Sequence, residues 1–412
     1  MDSSRCHDLP CVIVTDAPFD QEDPAFIADP YPAFAAMRDR GEVHWHAGLG
    51  VAVAVSHAAC SSVLRHRSFG RIWTDARPIE AFTSFNLLHR NSLLENEPPT
   101  HGRLRRLVAA AFGRGHVERL RPWVADLATR LVDELAARIA DGGTGDLLRE
   151  VAAPLPVEVI AELLGVPQVD RPLLQPWSNA IVKMYEYGLA EDKRAAAEVA
   201  ATEFVGYLRE LVALRRVQPG DDLISDLVAV TDTDGGRLTE DELVATAVLL
   251  LMAGHEATVN VIGNGVLALM RDRVQWRRLV DDPALLPTAV EELIRYDSPL
   301  QLFERTATAE VEIAGHVVQP GEKIAALLGA AARDPLVFAE PDTLDVGRTP
   351  NQHLGFGAGI HYCLGAPLAR IEVEAALGAL AKRLPTAELA AEPRRRAEFV
   401  IRGLHELPLT TP

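Results

Sequence analysis

From about Arg103 to Val217, apolar residues recur every three or four positions among Ala, Leu, Arg and Glu, the period of amphipathic helices. Breaks are expected at Pro122, Gly142-Gly143, Pro154, Pro167 and Pro172. Alternation of period two is confined to short stretches. Val43–His46 and Val51–Val55 read as a hairpin around Gly48–Gly50, and Leu300–Glu304 as a strand. Val311–Ala326 reads as strands turning at Gly315 and Pro320-Gly321, and Phe399–Leu409 as a small strand pair turning at Gly403. Residues 1–30 read as coil, followed by a short helix Tyr31–Asp39. The pattern predicts a mainly α chain with small β-sheets.

One helix differs from the rest. Thr239 and Glu242 have the spacing of a capping box, and the segment is then apolar nearly all round from Val244 to Met252, with an end expected near Arg271. About thirty residues at 1.5 Å each span roughly 45 Å, enough to cross the molecule as a core helix. Its apolar run Leu243–Gly254 is too short for a bilayer and ends against His255 and Glu256. The interruption Ala253-Gly254-His255-Glu256-Ala257-Thr258 is informative. A mid-helix glycine costs about 1 kcal/mol relative to alanine. Small residues on one face leave room for something else, and an acid placed there is expensive unless it is used.

The 412 residues are 48% hydrophobic, ample for a large core, and length alone favours two domains. A net charge of −17 argues against binding nucleic acid through phosphate neutralisation. The four cysteines, Cys6, Cys11, Cys60 and Cys363, have neither zinc-like spacing nor the density of a disulfide framework. Met1–Pro10 does not read as a secretory signal, so a cytoplasmic location is expected. Cys363 stands apart. It follows Gly357, Gly359 and His361 and precedes a helix-like run, Leu364 to about Leu380, with Ala366 and Pro367 in its first turn. On its own a cysteine in such a loop is an ordinary small buried hydrophobe. At a helix N-terminus it is also placed to be held as thiolate, and a thiolate can ligate haem iron.

Phe356-Gly357-Ala358-Gly359-Ile360-His361-Tyr362-Cys363-Leu364-Gly365 resembles the haem-binding loop of the cytochrome P450 superfamily, and Ala253–Thr258 resembles its oxygen-binding helix, where Ala-Gly-x-Glu/Asp-Thr is usual. The resemblance implies a soluble bacterial-type haem-thiolate monooxygenase: a loose extension 1–22, then one domain 23–412 around a buried haem b (iron protoporphyrin IX), with O2 as co-substrate. Cys363 would be the axial ligand, with Phe356, Gly357 and Gly365 shaping the loop against the haem. Glu256 would be the proton-relay acid, and Ala253, Gly254 and Ala257 would shape the oxygen cleft. Ala257 departs from the usual threonine, and Thr258 is rotated by about 100° around the helix. A substrate hydroxyl, an ordered water or a less usual oxidation would each account for the change. His255 is expected to be structural.

The resemblance also implies that Glu292 and Arg295 form a buried network with Arg348, and that His101, Arg105, Arg305 and His361 hold the haem propionates. Phe82, Phe85, Asn86, Leu87, Leu250, Leu300, Leu302, Phe303 and Ile401 would line the substrate pocket. Electrons would come from a separate ferredoxin and ferredoxin reductase, docking near Arg103, Arg106 and Arg114. The basic triplet Arg394–Arg396 reads as a solvated loop. The substrate would be a small organic molecule, a secondary metabolite such as a polyketide or peptide, free or tethered to a carrier protein. Hydroxylation or epoxidation is the expected reaction. The alternatives are oxidative cyclisation, coupling or desaturation, and a non-catalytic haem-binding module.

Overall fold

The computed structural model describes residues 19–113, 115–231 and 235–412; Cys6, Cys11 and Arg114 lie outside them. The long apolar segment forms a helix, Glu240–Arg271. Its capping box closes as the residue types dictate: Glu242 N–H donates to Thr239 Oγ1 at 3.2 Å and Thr239 N–H to Glu242 Oε2 at 2.9 Å. This helix is long and apolar enough to cross a membrane by length and composition, but it is mostly buried, as a core helix is. Packed against it are Thr83–Arg90, Pro154–Leu164, Glu191–Val217, Leu286–Tyr296 and Ala366–Arg383.

The helical period of residues 103–217 resolves into Thr100–Phe112, His116–Ile139, Pro154–Leu164, Leu174–Val182 and Glu191–Val217. Pro122 does not break the chain as the sequence suggests; it lies inside His116–Ile139. Proline removes one hydrogen bond there, a loss on the order of 3 kcal/mol. Burial of Val124, Leu127, Ala128, Val132, Leu135 and Ile139 on one face, with Ala366–Arg383 packed against the helix, outweighs it.

The main sheet has five strands in the order Val43–His46, Val51–Ala54, Lys323–Leu327, Leu302–Ala307, Phe69–Gly70. Val51–Ala54 and Lys323–Leu327 run parallel and the other pairs antiparallel. Val43 faces Ala54 and His46 faces Val51 in the first hairpin. A two-stranded hairpin, Val311–Ile313 with His316–Val318, turns on Ala314 and Gly315, both at positive φ, as a two-residue hairpin loop requires.

Residues 399–409 do not make the expected hairpin. Ile401 and Leu404 form isolated bridges to Leu300 and Arg395, while Pro408–Thr410 pairs with both Gly145–Asp146 and Glu388–Leu389. Nor are residues 19–30 coil. Pro24–Ala28 is a short helix, and Phe19 stacks on Phe26 with ring centroids 4.5 Å apart, against Phe34 and Phe399. The basic triplet is a loop as expected, but only Arg394 is exposed: Arg395 pairs with buried Asp297 at 2.5 Å and Arg396 with Glu256 at 2.8 Å.

Candidate active site

The cysteine loop is built by hydrogen bonds that the glycines permit. Gly357 N–H donates to the Leu354 carbonyl and Cys363 N–H to the Phe356 carbonyl, at 2.8 and 3.0 Å. Gly359 sits at φ +71°, where a Cβ would lie 2.5 Å from the Leu64 carbonyl oxygen, so the loop closes against the end of the helix His57–Arg65 only because no side chain is present. The chain then enters Ala366–Arg383, with Pro367 in the first turn, and the amides of Gly365 and Ala366 donate to Cys363 Sγ. Burial pushes the thiol pKa up, and these amides, with Arg105 and Arg370 nearby, pull it down without cancelling the rise. The amides at the helix N-terminus thus act in the direction expected from the sequence, favouring the charged form of the sulfur.

Beside the cysteine, basic side chains from four segments converge. The rings of His101 and His361 lie 4.4 Å apart, and His361 Nε2 meets Glu97 Oε1 at 2.7 Å. Arg105 donates to the Tyr362 carbonyl at 2.8 Å. Arg305 lies within the strand Leu302–Ala307 rather than after it, is buried, and donates to the Glu304 carbonyl. Burial, and then repulsion from Arg71, lowers the Arg305 pKa to about 10. His101 is pushed down to about 4 by burial and by His361, and its Nε2 is buried without a partner. Buried Arg305, which donates only to a backbone carbonyl, and the orphaned Nε2 of His101 suit an anionic group, and the two propionates of haem fit the donor set. Arg71, Glu95 and Glu97, which the sequence did not single out, complete the cluster: Arg71 pairs with Glu95 at 2.5 Å and Arg71 N–H donates to Glu97.

The central helix presents one open face. Ala253 is exposed midway along an otherwise buried helix, and Leu249, Glu256 and Ala257, three and four residues away, are half-buried. Gly254 serves helix packing more than the cleft, since a Cβ there would meet Ile160 Cγ1 at 3.1 Å. Thr258 is buried and donates back to the Gly254 carbonyl at 3.4 Å, which turns its hydroxyl into the helix. His255 is fully buried among Ser178, Asn179 and the Leu251 carbonyl, and burial lowers its pKa. Burial alone would raise Glu256; Arg396, then His255, outweigh it and hold the carboxylate below its ordinary range. Arg396 went unnoticed because it is 140 residues away, its one sequence signal being a basic triplet in an acidic chain.

Glu292 accepts both Nε and Nη2 of Arg295 at 2.7 Å and Nε of Arg348 at 3.0 Å, with Asn351 and the Asp345 amide also donating. The residues expected to line the pocket are held in different ways. Phe82 is buried beneath Arg194, Phe85 packs on Trp73 and His89, and Asn86 is spent on both backbone groups of Ala76. Leu302 belongs to the cluster of Phe34 and Val53. Phe82 and Phe85 pack edge-on at 6.5 Å, so the loop buries its own rings. Leu87, Leu300 and Phe303 stay half-buried, and Leu250 and Ile401 are buried. Arg103 is taken up by an ion pair with Glu242 and is not a free docking charge; Arg106 is exposed.

Comparison with known proteins agrees with this geometry. The family model for Cytochrome P450 matches residues 173–387. The cytochrome P450 monooxygenase PikC of Streptomyces venezuelae is 40% identical over 393 residues, covering 93% of this chain and 91% of that one. The mycinamicin IV hydroxylase/epoxidase of Micromonospora griseorubida is 43% identical over 326 residues, 78% of this chain and 80% of that protein. The crystal structure of P450BioI in complex with an acyl carrier protein bearing hexadec-9Z-enoic acid superposes with a TM-score of 0.89 at 32% identity, covering 94% of this chain and 99% of that one.

Proposed function

Since the chain belongs to the cytochrome P450 family and is a monooxygenase of the bacterial type, we propose that Cys363 ligates the iron of haem b, that Glu256 supplies protons to the oxygen cleft, and that the substrate is a secondary-metabolite scaffold. The observation that carries this reading is Cys363 Sγ, held by the Gly365 and Ala366 amides at the start of a helix packed on the central one. When bound, haem supplies the activation of O2 and the insertion of one oxygen atom. The chain's own residues do the rest. The two amides fix the sulfur and temper its charge. His101, Arg105, Arg305 and His361 anchor the propionates, with Glu97 setting the tilt of His361. Ala253 and Ala257 keep the open face of the central helix clear, and Glu256 brings an ionisable proton carrier to that face. Thr258 is turned away, so the hydroxyl missing at Ala257 comes from the substrate or an ordered water.

A relative acting on mycinamicin IV supports a polyketide-like substrate, and the carrier-protein complex of P450BioI supports the option of a tethered one. For electron supply, Ile360 and Tyr362 of the cysteine loop are exposed, and the loop approaches exposed Arg65 at Gly359, an apolar spot beside a basic side chain suited to an acidic ferredoxin. The test is the carbonyl complex of the reduced, haem-loaded protein. It should show the thiolate Soret band, and Cys363→Ser should abolish it; a wild-type complex without that band overturns the assignment. Titrating the ferric protein with macrolide lactones, free and as carrier-protein thioesters, should convert low-spin iron to high-spin with one form of presentation only.

A further inference from the structure

The acid that precedes Glu292 has a separate set of partners. Glu291, on Leu286–Tyr296, accepts Nε and Nη2 of Arg370 at 2.5 and 3.0 Å and the Nε2–H of His353 at 3.0 Å. The tautomer of His353 follows from its other nitrogen, because Nδ1 accepts the Gly355 amide at 3.1 Å. Burial alone would raise the Glu291 pKa; His353 and Arg370 outweigh it and lower it to about 2, so the carboxylate is ionised. Arg370 lies on Ala366–Arg383, the helix that follows the cysteine. Its guanidinium carbon sits 4.5 Å above the centroid of the Phe356 ring, and the Phe356 carbonyl accepts the Cys363 amide at 3.0 Å. The ion pair therefore presents its positive end to the cysteine loop. A carboxylate gripping two nitrogens and an aromatic face beneath fix the planar guanidinium in place, although the side chain is 36% exposed.

We propose that Arg370 is a positioning residue for electron uptake: clamped by Glu291 against Phe356, its charge raises the reduction potential of the haem and tempers electron donation by the Cys363 sulfur. The proposal rests on the reading of Cys363 as the iron ligand. Reduction of ferric to ferrous haem adds one electron, supplied by a ferredoxin, and makes or breaks no bond in the protein. The centre becomes more negative by one unit, so a fixed cation beside it favours the reduced form. Burial opposes charge on the sulfur, and Arg370 is among the groups that favour it. Solvent screens a side chain that is partly exposed, which limits the effect to about tenfold in the reduction equilibrium. The helix Leu286–Tyr296 then serves the cysteine loop twice. Glu292 holds its approach through Arg348 and the Asp345 amide, and Glu291 sets the charge beside its sulfur.

The haem-loaded wild type is compared with Arg370→Gln, Arg370→Lys, Glu291→Asp and Arg383→Gln, without ferredoxin or substrate. Potentiometric titration with dithionite gives the reduction potential, and the infrared spectrum of the ferrous carbonyl complex gives the C–O stretch. Arg370→Gln should shift the one-electron equilibrium toward the ferric form about tenfold, a potential lower by about 59 mV. Its C–O frequency should fall as well, because a less tempered sulfur pushes more electron density through the iron. Glu291→Asp keeps both charges but shortens the clamp, and should move both readings the same way by less. Arg370→Lys keeps the charge without the planar fork and should fall between wild type and Arg370→Gln. Arg383→Gln removes the same charge from the far end of the same helix, where it forms an exposed pair with Asp133, and should match wild type. If Arg370→Gln does not retain haem, Glu291→Asp and Arg370→Lys carry the comparison. A wild-type carbonyl complex without the thiolate Soret band ends the reading of Cys363 as ligand. With that band present, Arg370 and Glu291 variants that match wild type in potential and C–O frequency overturn the proposal and leave the ligand reading standing. So does an equal shift in Arg383→Gln.

Discussion

Glu292→Gln is the sharpest test of what holds the cysteine loop in place. Glu292 and Arg295 are fully buried, and the Arg348 side chain is 11% exposed. Two guanidinium groups therefore share one carboxylate in a dry setting, and their remaining bonds go to the backbone carbonyls of Ala332, Pro341, Thr343, Ala339 and Glu340. Glutamine keeps the volume but removes the charge and turns an N–H₂ toward cations that have only donors. Breaking a buried pair by neutralising one partner costs about 3–5 kcal/mol, because the other charge stays buried. Against a total stability on the order of 5–15 kcal/mol this is a large share. The Asp345 amide donates to Glu292 as well, so the loop leading toward Cys363 should loosen and haem uptake should weaken with it. Denaturant unfolding followed by circular dichroism, with the Soret band recorded in parallel, measures both effects. The control is Arg278→Gln, which breaks an ion pair with Asp345 whose side chains are 43% and 40% exposed. It should change stability by less than about 0.5 kcal/mol. A Glu292→Gln midpoint shift no larger than the control's, at unchanged slope, would refute the argument that this network is a structural lock.

Two further outcomes follow from single carboxylates. Glu372, on the helix that follows the cysteine, is buried with Oε2 unpartnered, and burial raises its pKa well above the ordinary 4.5. The native state then keeps a proton that the unfolded chain loses above that value, so this group's contribution to stability falls as pH rises. Glu372→Gln should match wild type in acid and have a progressively higher Tm than wild type toward pH 8; a difference independent of pH would contradict this. Glu198, on Glu191–Val217, accepts the Ser84 and Phe85 amides at 2.9 Å each and the Thr83 hydroxyl at 3.2 Å, capping the helix Thr83–Arg90 from outside. Glu198→Ala should cost about 1 kcal/mol and speed amide hydrogen exchange in residues 83–90 before any other helix; uniform exchange would show that the two helices do not depend on this contact.

What was legible in the sequence divides along a physical line. Local chemistry could be read directly: the capping box at Thr239 and Glu242, the turn at Gly315, and a cysteine placed before a helix N-terminus all act within a few residues. For Glu292 and Arg295 the spacing by three gave only a shared helix face, as in an ordinary surface pair; their burial with Arg348 was implied by the family resemblance. Groups whose roles depend on long-range partners were not legible. Nothing near Asn86 in the sequence shows that Ala76 takes both ends of its amide, and Arg103 looks like a free charge until Glu242 pairs with it. Pro122 looks like a break until packing against Ala366–Arg383 carries the helix through. Glu256 shows the division most clearly. Its place on the core helix, and its cost there, follow from the sequence alone. Its charge does not, because that charge depends on an arginine that only the folded chain brings within 2.8 Å. A buried acid keeps its ionised form when a cation is supplied. The distinction between a costly acid and a working one therefore lies in Arg396, outside the motif that drew attention to Glu256.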